Sequence, residues 1–261
     1  MSLGIVIKGA EGLVLAAESR VTLQYQAGTN LVPVYFDNAT KLMSFSAPNT
    51  TVGLVTYGQA VIGQRTAASF MPEFEASLPR ERLPIEAFAA KIGEFFLGQW
   101  QSSMPGNYQG PPMAFVVAGF NKGDIYGRVY VVEIPSAPEP KEANPGGEFG
   151  TTFGGQLETV NRILKGYATG LPDALTKELN LQPDQVSAMQ QTLAKFQPAV
   201  PMAALGLQDC VNMAILLIRT TIGVQGFTLY IRGVGGPIDI AVITLNKDLH
   251  FIQQKEVSCE S

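Results

Sequence analysis

The segment from Ser2 to Arg20 constrains this chain more than any other. Two apolar runs, Leu3 to Ile7 and Leu13 to Ala17, flank the short Gly-containing stretch Lys8-Gly9-Ala10-Glu11-Gly12. That arrangement predicts a tight β-hairpin. The first strand is expected to start the fold with no leader before it, and the second ends in a carboxylate, Glu18. A hairpin brings its open ends together, so Glu18 is expected beside Ser2. A small residue after Met1 favours removal of the initiator, which would leave Ser2 carrying a free α-amine.

The run Gly12-Leu-Val-Leu-Ala-Ala-Glu18-Ser-Arg-Val-Thr22 resembles the opening of proteasome β-type subunits, members of the N-terminal nucleophile (Ntn) hydrolases. In that family the first residue is the nucleophile and the hairpin reads Gly-apolar-Ala-Ala-Asp-Ser-Arg-x-Thr. Without a gap, Ser2 falls on the N-terminal threonine and Glu18 on the aspartate. Such a residue can attack a carbonyl without histidine, because an α-amine of pKa roughly 8 can take the hydroxyl proton near neutral pH. A nearby ammonium lowers the hydroxyl pKa and helps keep the amine neutral.

The resemblance implies the other site residues. Lys41, in Thr40-Lys41-Leu42-Met43, matches the family lysine and is the first basic residue after Arg20, although the interval carries an insertion of several residues. Glu18 would pair with it. Gly58, ending an apolar strand at Thr56-Tyr57-Gly58, would supply the amide that stabilises the oxyanion. Thr22 would hydrogen-bond an extended substrate backbone, while Val21, Thr56 and Ala60 would line a fairly small, apolar pocket. Two family motifs are incomplete. Gly-Ser-Gly appears as Gly154-Gly155-Gln156, and Asp-x-x-Ser-Gly-Gly as Ile231-Arg232-Gly233-Val234-Gly235-Gly236. The serine, aspartate and serine expected at Gly155, Ile231 and Val234 are therefore missing.

Along the chain, strands are expected at 31–36, 41–45 and 51–57, with Gln24 to Asn30 a polar connection. Apolar residues from Ala60 to Leu78 recur at helical spacing and predict a helix over 59–78; a second is predicted over 84–102. Strands follow at 113–120 and 125–134, then an open, proline-rich connection over 136–147. A short strand at 148–153, a helix at 157–167, an extra helical segment at about 172–201, a helix around 211–222 and a hairpin over 238–254 complete the order. Strands, helices, strands, helices, strands fit an α+β fold of two antiparallel sheets flanked by helices. The resemblance implies the same four-layer αββα sandwich, as one domain over 1–261.

With 46% hydrophobic and 15% charged residues, the 261-residue chain has material for a large core. The formal charge of -4 argues against nucleic acid or an anionic membrane as partner, and no uninterrupted apolar run reaches the roughly 20 residues of a membrane span. Cys210 and Cys259 give no disulfide framework and fit a reducing cytoplasm. One histidine, His250, and two distant cysteines offer neither a zinc site nor a Ser-His-Asp triad, so no metal or other cofactor is expected. With the cysteine usage favouring a cytoplasmic protein, the resemblance implies a proteasome-like hydrolase of peptide or small-amide substrates, assembled as a homo-oligomeric ring through the helices at 59–78 and 84–102. The alternative is an inactive ring-forming scaffold or binding subunit of the same fold.

Overall fold

The computed structural model describes residues 2–229 and 231–256, so the expectations for Met1 and Cys259 lie outside the described residues. β1 (Leu3–Lys8) and β2 (Leu13–Glu18) form the predicted hairpin, with Gly4 opposite Ala17 and Lys8 opposite Leu13. Every residue of both strands is buried, which places this hairpin inside the fold.

A second hairpin follows, β3 (Val21–Ala27) with β4 (Asn30–Phe36). It corrects the polar connection expected over 24–30. Gly28, at φ 63°, is the first central residue of a two-residue turn, the position where such hairpins need glycine. Gln24 and Gln26 are therefore strand residues facing solvent.

β5 (Leu42–Ser44) and β6 (Val52–Gly58) come next. The single helix expected over 59–78 is replaced by β7 (Val61–Ile62), β8 (Arg65–Thr66), a 3-10 turn at Ala67–Phe70 and a short α1 (Met71–Ser77). Gly58 and Gly63 both take positive φ, which interrupts any helix through them. α2 (Ile85–Ser103) starts and ends one residue later than the expected 84–102, with Pro84 as its N-cap.

β9 (Met113–Gly119) and β10 (Arg128–Ile134) are followed by β11 (Ala137–Glu142), where an open connection was expected. β11 lies at a sheet edge, where Pro138 and Pro140 are tolerated. The remaining elements are β12 (Gly150–Gly155), α3 (Leu157–Lys165), α4 (Leu171–Glu178), α5 (Pro183–Ala194), α6 (Leu207–Gly226), β13 (Ile238–Thr244) and β14 (Lys247–Gln253). α4 and α5 contain no buried residue.

The strands build two five-stranded antiparallel sheets, ordered β12-β1-β2-β13-β14 and β11-β10-β9-β6-β5. Side-chain alternation divides each strand between two apolar clusters. Leu13, Leu15 and Ala17 of β2 meet Leu42, Val55, Val116 and Val129 of the other sheet. The opposite face of the hairpin, with Ile5, Val14 and Ala16, receives Val211, Ala214 and Ile218 of α6. On the second sheet, Leu54, Phe115 and Val132 pack with Phe74, Phe88 and Phe96 of α1 and α2.

α6 has the length and mean hydropathy of a membrane span, although it holds no uninterrupted apolar run of that length. Asp209 and Arg219 interrupt its apolar run, and its face from Cys210 to Gln225 is buried on the first sheet.

Candidate active site

The strand ends beside Ser2 converge on one narrow cleft of about 20 Å³, lined by Ser2, Arg20, Val21, Lys41, Thr56, Tyr57, Gly58 and Ala60 among others. Ser2 itself is 4% exposed. The Gly58 amide donates a 2.9 Å hydrogen bond to Ser2 Oγ. Gly58 holds φ 87°, and a Cβ there would lie 2.2 Å from the Pro112 carbonyl oxygen, so only glycine presents its amide in this way. Ser2 is fixed from the other side by its carbonyl, which accepts a 2.8 Å bond from the Gln156 amide.

Glu18, at the end of β2, has no accessible surface. Its Oε1 accepts from Lys41 Nζ and, at 3.2 Å, from the Leu3 amide; its Oε2 accepts from the amides of Arg20 at 2.7 Å and Gly235 at 3.0 Å. Lys41 Nζ donates a second bond to the Arg20 carbonyl. Burial lowers the Lys41 pKa from its ordinary value, and the Glu18 carboxylate opposes that shift. The buried acid is thus held by four donors, and the ammonium faces the same cleft as the Ser2 hydroxyl.

Val21, Thr56 and Ala60 border the cleft. The Thr56 hydroxyl is occupied, donating to the Ala114 carbonyl at 3.0 Å. Thr22 stands one residue further along β3, outside the lining set, and its buried hydroxyl has no hydrogen-bond partner among the described residues. At the incomplete motifs, Gly155 takes φ 98°, Val234 is buried with its amide on Gln225 Oε1, and Ile231 is exposed.

The site contains a group that sequence reasoning overlooked. Arg20 grips Asp37 with two bonds of 2.6 Å, Nε to Oδ1 and Nη2 to Oδ2, and donates from Nη1 to the Arg232 carbonyl. A Cβ on Gly235 would fall 2.5 Å from Arg20 Cζ, and one on Gly236 would fall 2.4 Å from the Asp37 carbonyl oxygen. The glycine pair therefore makes room for this ion pair. Its sequence signal is the register of the second hairpin: pairing Val21 with Phe36 sets Arg20 opposite Asp37.

No family model matches the sequence, and no curated protein matches it. Among solved structures, the chain is similar to an Anbu (Gly-1) mutant from Hyphomicrobium sp. strain MC1. The TM-score is 0.57 at 14% identity, over 100% of this chain and 89% of the other. The fold is proteasome-like. At that identity the likeness shows a shared fold and nothing about activity. Within a proteasome-like fold, the paired Glu18 and Lys41 and the Gly58 amide stand around the start of β1.

Proposed function

We propose that this chain is a proteasome-like Ntn hydrolase that cleaves peptide or related amide bonds through Ser2 once Met1 has been removed. We read its layers as an αββα sandwich in a single domain, with α4 and α5 an insertion at about 172–201. The observation that carries the reading is the Gly58 amide on Ser2 Oγ, in a cleft shared with the Lys41–Glu18 pair. A freed Ser2 amine would take the hydroxyl proton while Oγ bonds to the substrate carbonyl carbon. Lys41, kept close by Glu18, would favour the developing alkoxide. The former carbonyl oxygen would take over the Gly58 amide as its charge builds. Collapse would break the C–N bond, pass the proton to the leaving amine and leave an ester on Ser2. Water would then hydrolyse that ester with the same amine as base.

The chemistry needs only residues of this chain, and the small apolar lining of Val21, Thr56 and Ala60 suits a small apolar side chain before the cut. A cytoplasmic homo-oligomeric ring is the matching assembly. A second reading, an inactive scaffold of the same fold, is favoured by Gly155, Ile231 and Val234, where the supporting serine, aspartate and serine are missing.

Intact-mass measurement combined with an acylating inhibitor separates the two. The hydrolase reading expects a mature chain starting at Ser2 and a single adduct on Ser2, abolished in Ser2→Ala. Retained Met1 with no adduct on Ser2 would establish the scaffold reading instead.

A further inference from the structure

The second hairpin presents a bare apolar face. In its register Val21 pairs with Phe36, Leu23 with Val34 and Tyr25 with Val32, so these six side chains share one face. Thr22, Gln24, Gln26, Leu31, Pro33 and Tyr35 share the other. Five of the six on the apolar face are exposed, Tyr25 by 65% and Phe36 by 55%. Antiparallel sheets with such alternation have their apolar face against a core. Among the described residues β3 and β4 pair only with each other, and a two-stranded hairpin is marginal by itself.

We propose that a second copy of this chain covers that face. No charged residue occurs from 21 to 36, so nothing on the hairpin repels an identical copy, and no edge lysine discourages pairing. The chain exposes 14032 Å². A compact monomer of its 28.0 kDa would expose about 11,000 Å². The excess, about 3,000 Å², is a whole-chain total to which α4, α5, Phe227 and Leu229 also contribute, and it leaves room on the hairpin for the roughly 800 Å² that one partner loses in a specific interface.

An extended peptide is a poorer occupant, since it adds to a strand edge through main-chain bonds and leaves the face open. The helices expected to join copies, at 59–78 and 84–102, contribute none of the large exposed apolar side chains. The surface of assembly therefore moves to the hairpin, whose base residues Arg20 and Val21 line the cleft. This inference does not rest on the chemistry of Ser2: Ser2→Ala is expected to assemble as the unaltered chain does.

Mass by light scattering at micromolar concentration tests it. The unaltered chain is expected at a multiple of 28.0 kDa. Tyr25→Lys with Val32→Lys is expected to fall to a single chain, and Gln24→Lys with Gln26→Lys, on the opposite face, to keep the assembled mass. A single chain for the unaltered protein, or an unchanged mass for the Tyr25/Val32 variant, overturns the proposal. Should that variant fail to fold, hydroxyl-radical labelling of Tyr25 in the unaltered chain decides. Protection lost on dilution supports self-association. Labelling equal at all concentrations overturns it, as does protection gained only when an apolar peptide is added.

Discussion

A side chain on Gly155 would stand 1.8 Å from the Ser2 carbonyl oxygen. The resemblance to proteasome β-type subunits places a serine at this position, and the sequence alone suggests that one has simply been lost. The backbone shows why it cannot be restored: Gly155 holds φ 98°, and the next amide is bonded to the same Ser2 oxygen. Gly155→Ser is therefore expected to lose about 1–3 kcal/mol from backbone strain, with further loss as Ser2 is pushed aside. Denaturant unfolding would measure the first effect and the rate of Ser2 acylation the second. Faster acylation at unchanged stability would show that position 155 accepts a serine after all and would overturn the strain argument.

Lys41 and Glu18 form a buried pair in which the acid has three further backbone donors. Lys41→Met leaves a carboxylate with no accessible surface and no cation beside it, a change worth about 3–5 kcal/mol in buried pairs. Glu18→Gln with Lys41→Met removes both charges and is expected to recover part of that loss. A double-mutant cycle by urea unfolding reads the coupling. Additive single and double effects would mean that the two side chains do not act as a pair.

Lys8 predicts a pH dependence away from the cleft. It has no accessible surface, and its Nζ donates to the carbonyls of Asn144 at 2.6 Å and Gly146 at 2.7 Å. Burial lowers its pKa, opposed mainly by Glu142, with Arg128 adding to the lowering. Between that lowered value and the ordinary 10.5, the unfolded chain binds more protons than the folded one. Stability from this group therefore rises with pH through that window. Lys8→Met should lack the gain, and because Lys41 titrates in both proteins the difference between them isolates Lys8. Unfolding curves from about pH 8 to about pH 10 test this, and parallel curves would exclude it.

Much of the site was legible because it depends on local pattern. Apolar runs around Gly9 and Gly12 specify the β1–β2 hairpin, and the hairpin alone brings Glu18 to the Leu3 amide. Gly58 could be named because it ends an apolar strand at the position where the resemblance implies an oxyanion-binding glycine. Long-range consequences were less legible. The spacing from Ala60 to Leu78 is helical, yet positive φ at Gly58 and Gly63 overrides it, and neither angle is encoded in periodicity. Pro138 and Pro140 argued against a strand, but an edge position makes them harmless, and edge or centre is a property of the sheet. The Arg20–Asp37 pair was hidden behind a hairpin whose polar glutamines read as loop.

That ion pair supplies the last prediction. Arg20 reaches Asp37 with two parallel bonds, donates to the Arg232 carbonyl, and lies 5.0 Å from the centre of the Tyr35 ring. The Arg20 bonds hold the Asp37 carboxyl below its ordinary pKa, so their contribution is present above about pH 4 and lost on acidification below it. A lysine has one point of charge and cannot reproduce the fork. Arg20→Lys should cost only about 1 kcal/mol, because the pair is partly solvated. Its local effect should be larger. Amide exchange is expected to quicken across 21–36 and leave β1 and β2 unchanged, since Glu18 and Lys41 hold those strands without help from the guanidinium. Exchange that quickens equally in β1 and β2 would show that Arg20 supports the whole sheet and is no clamp on the hairpin.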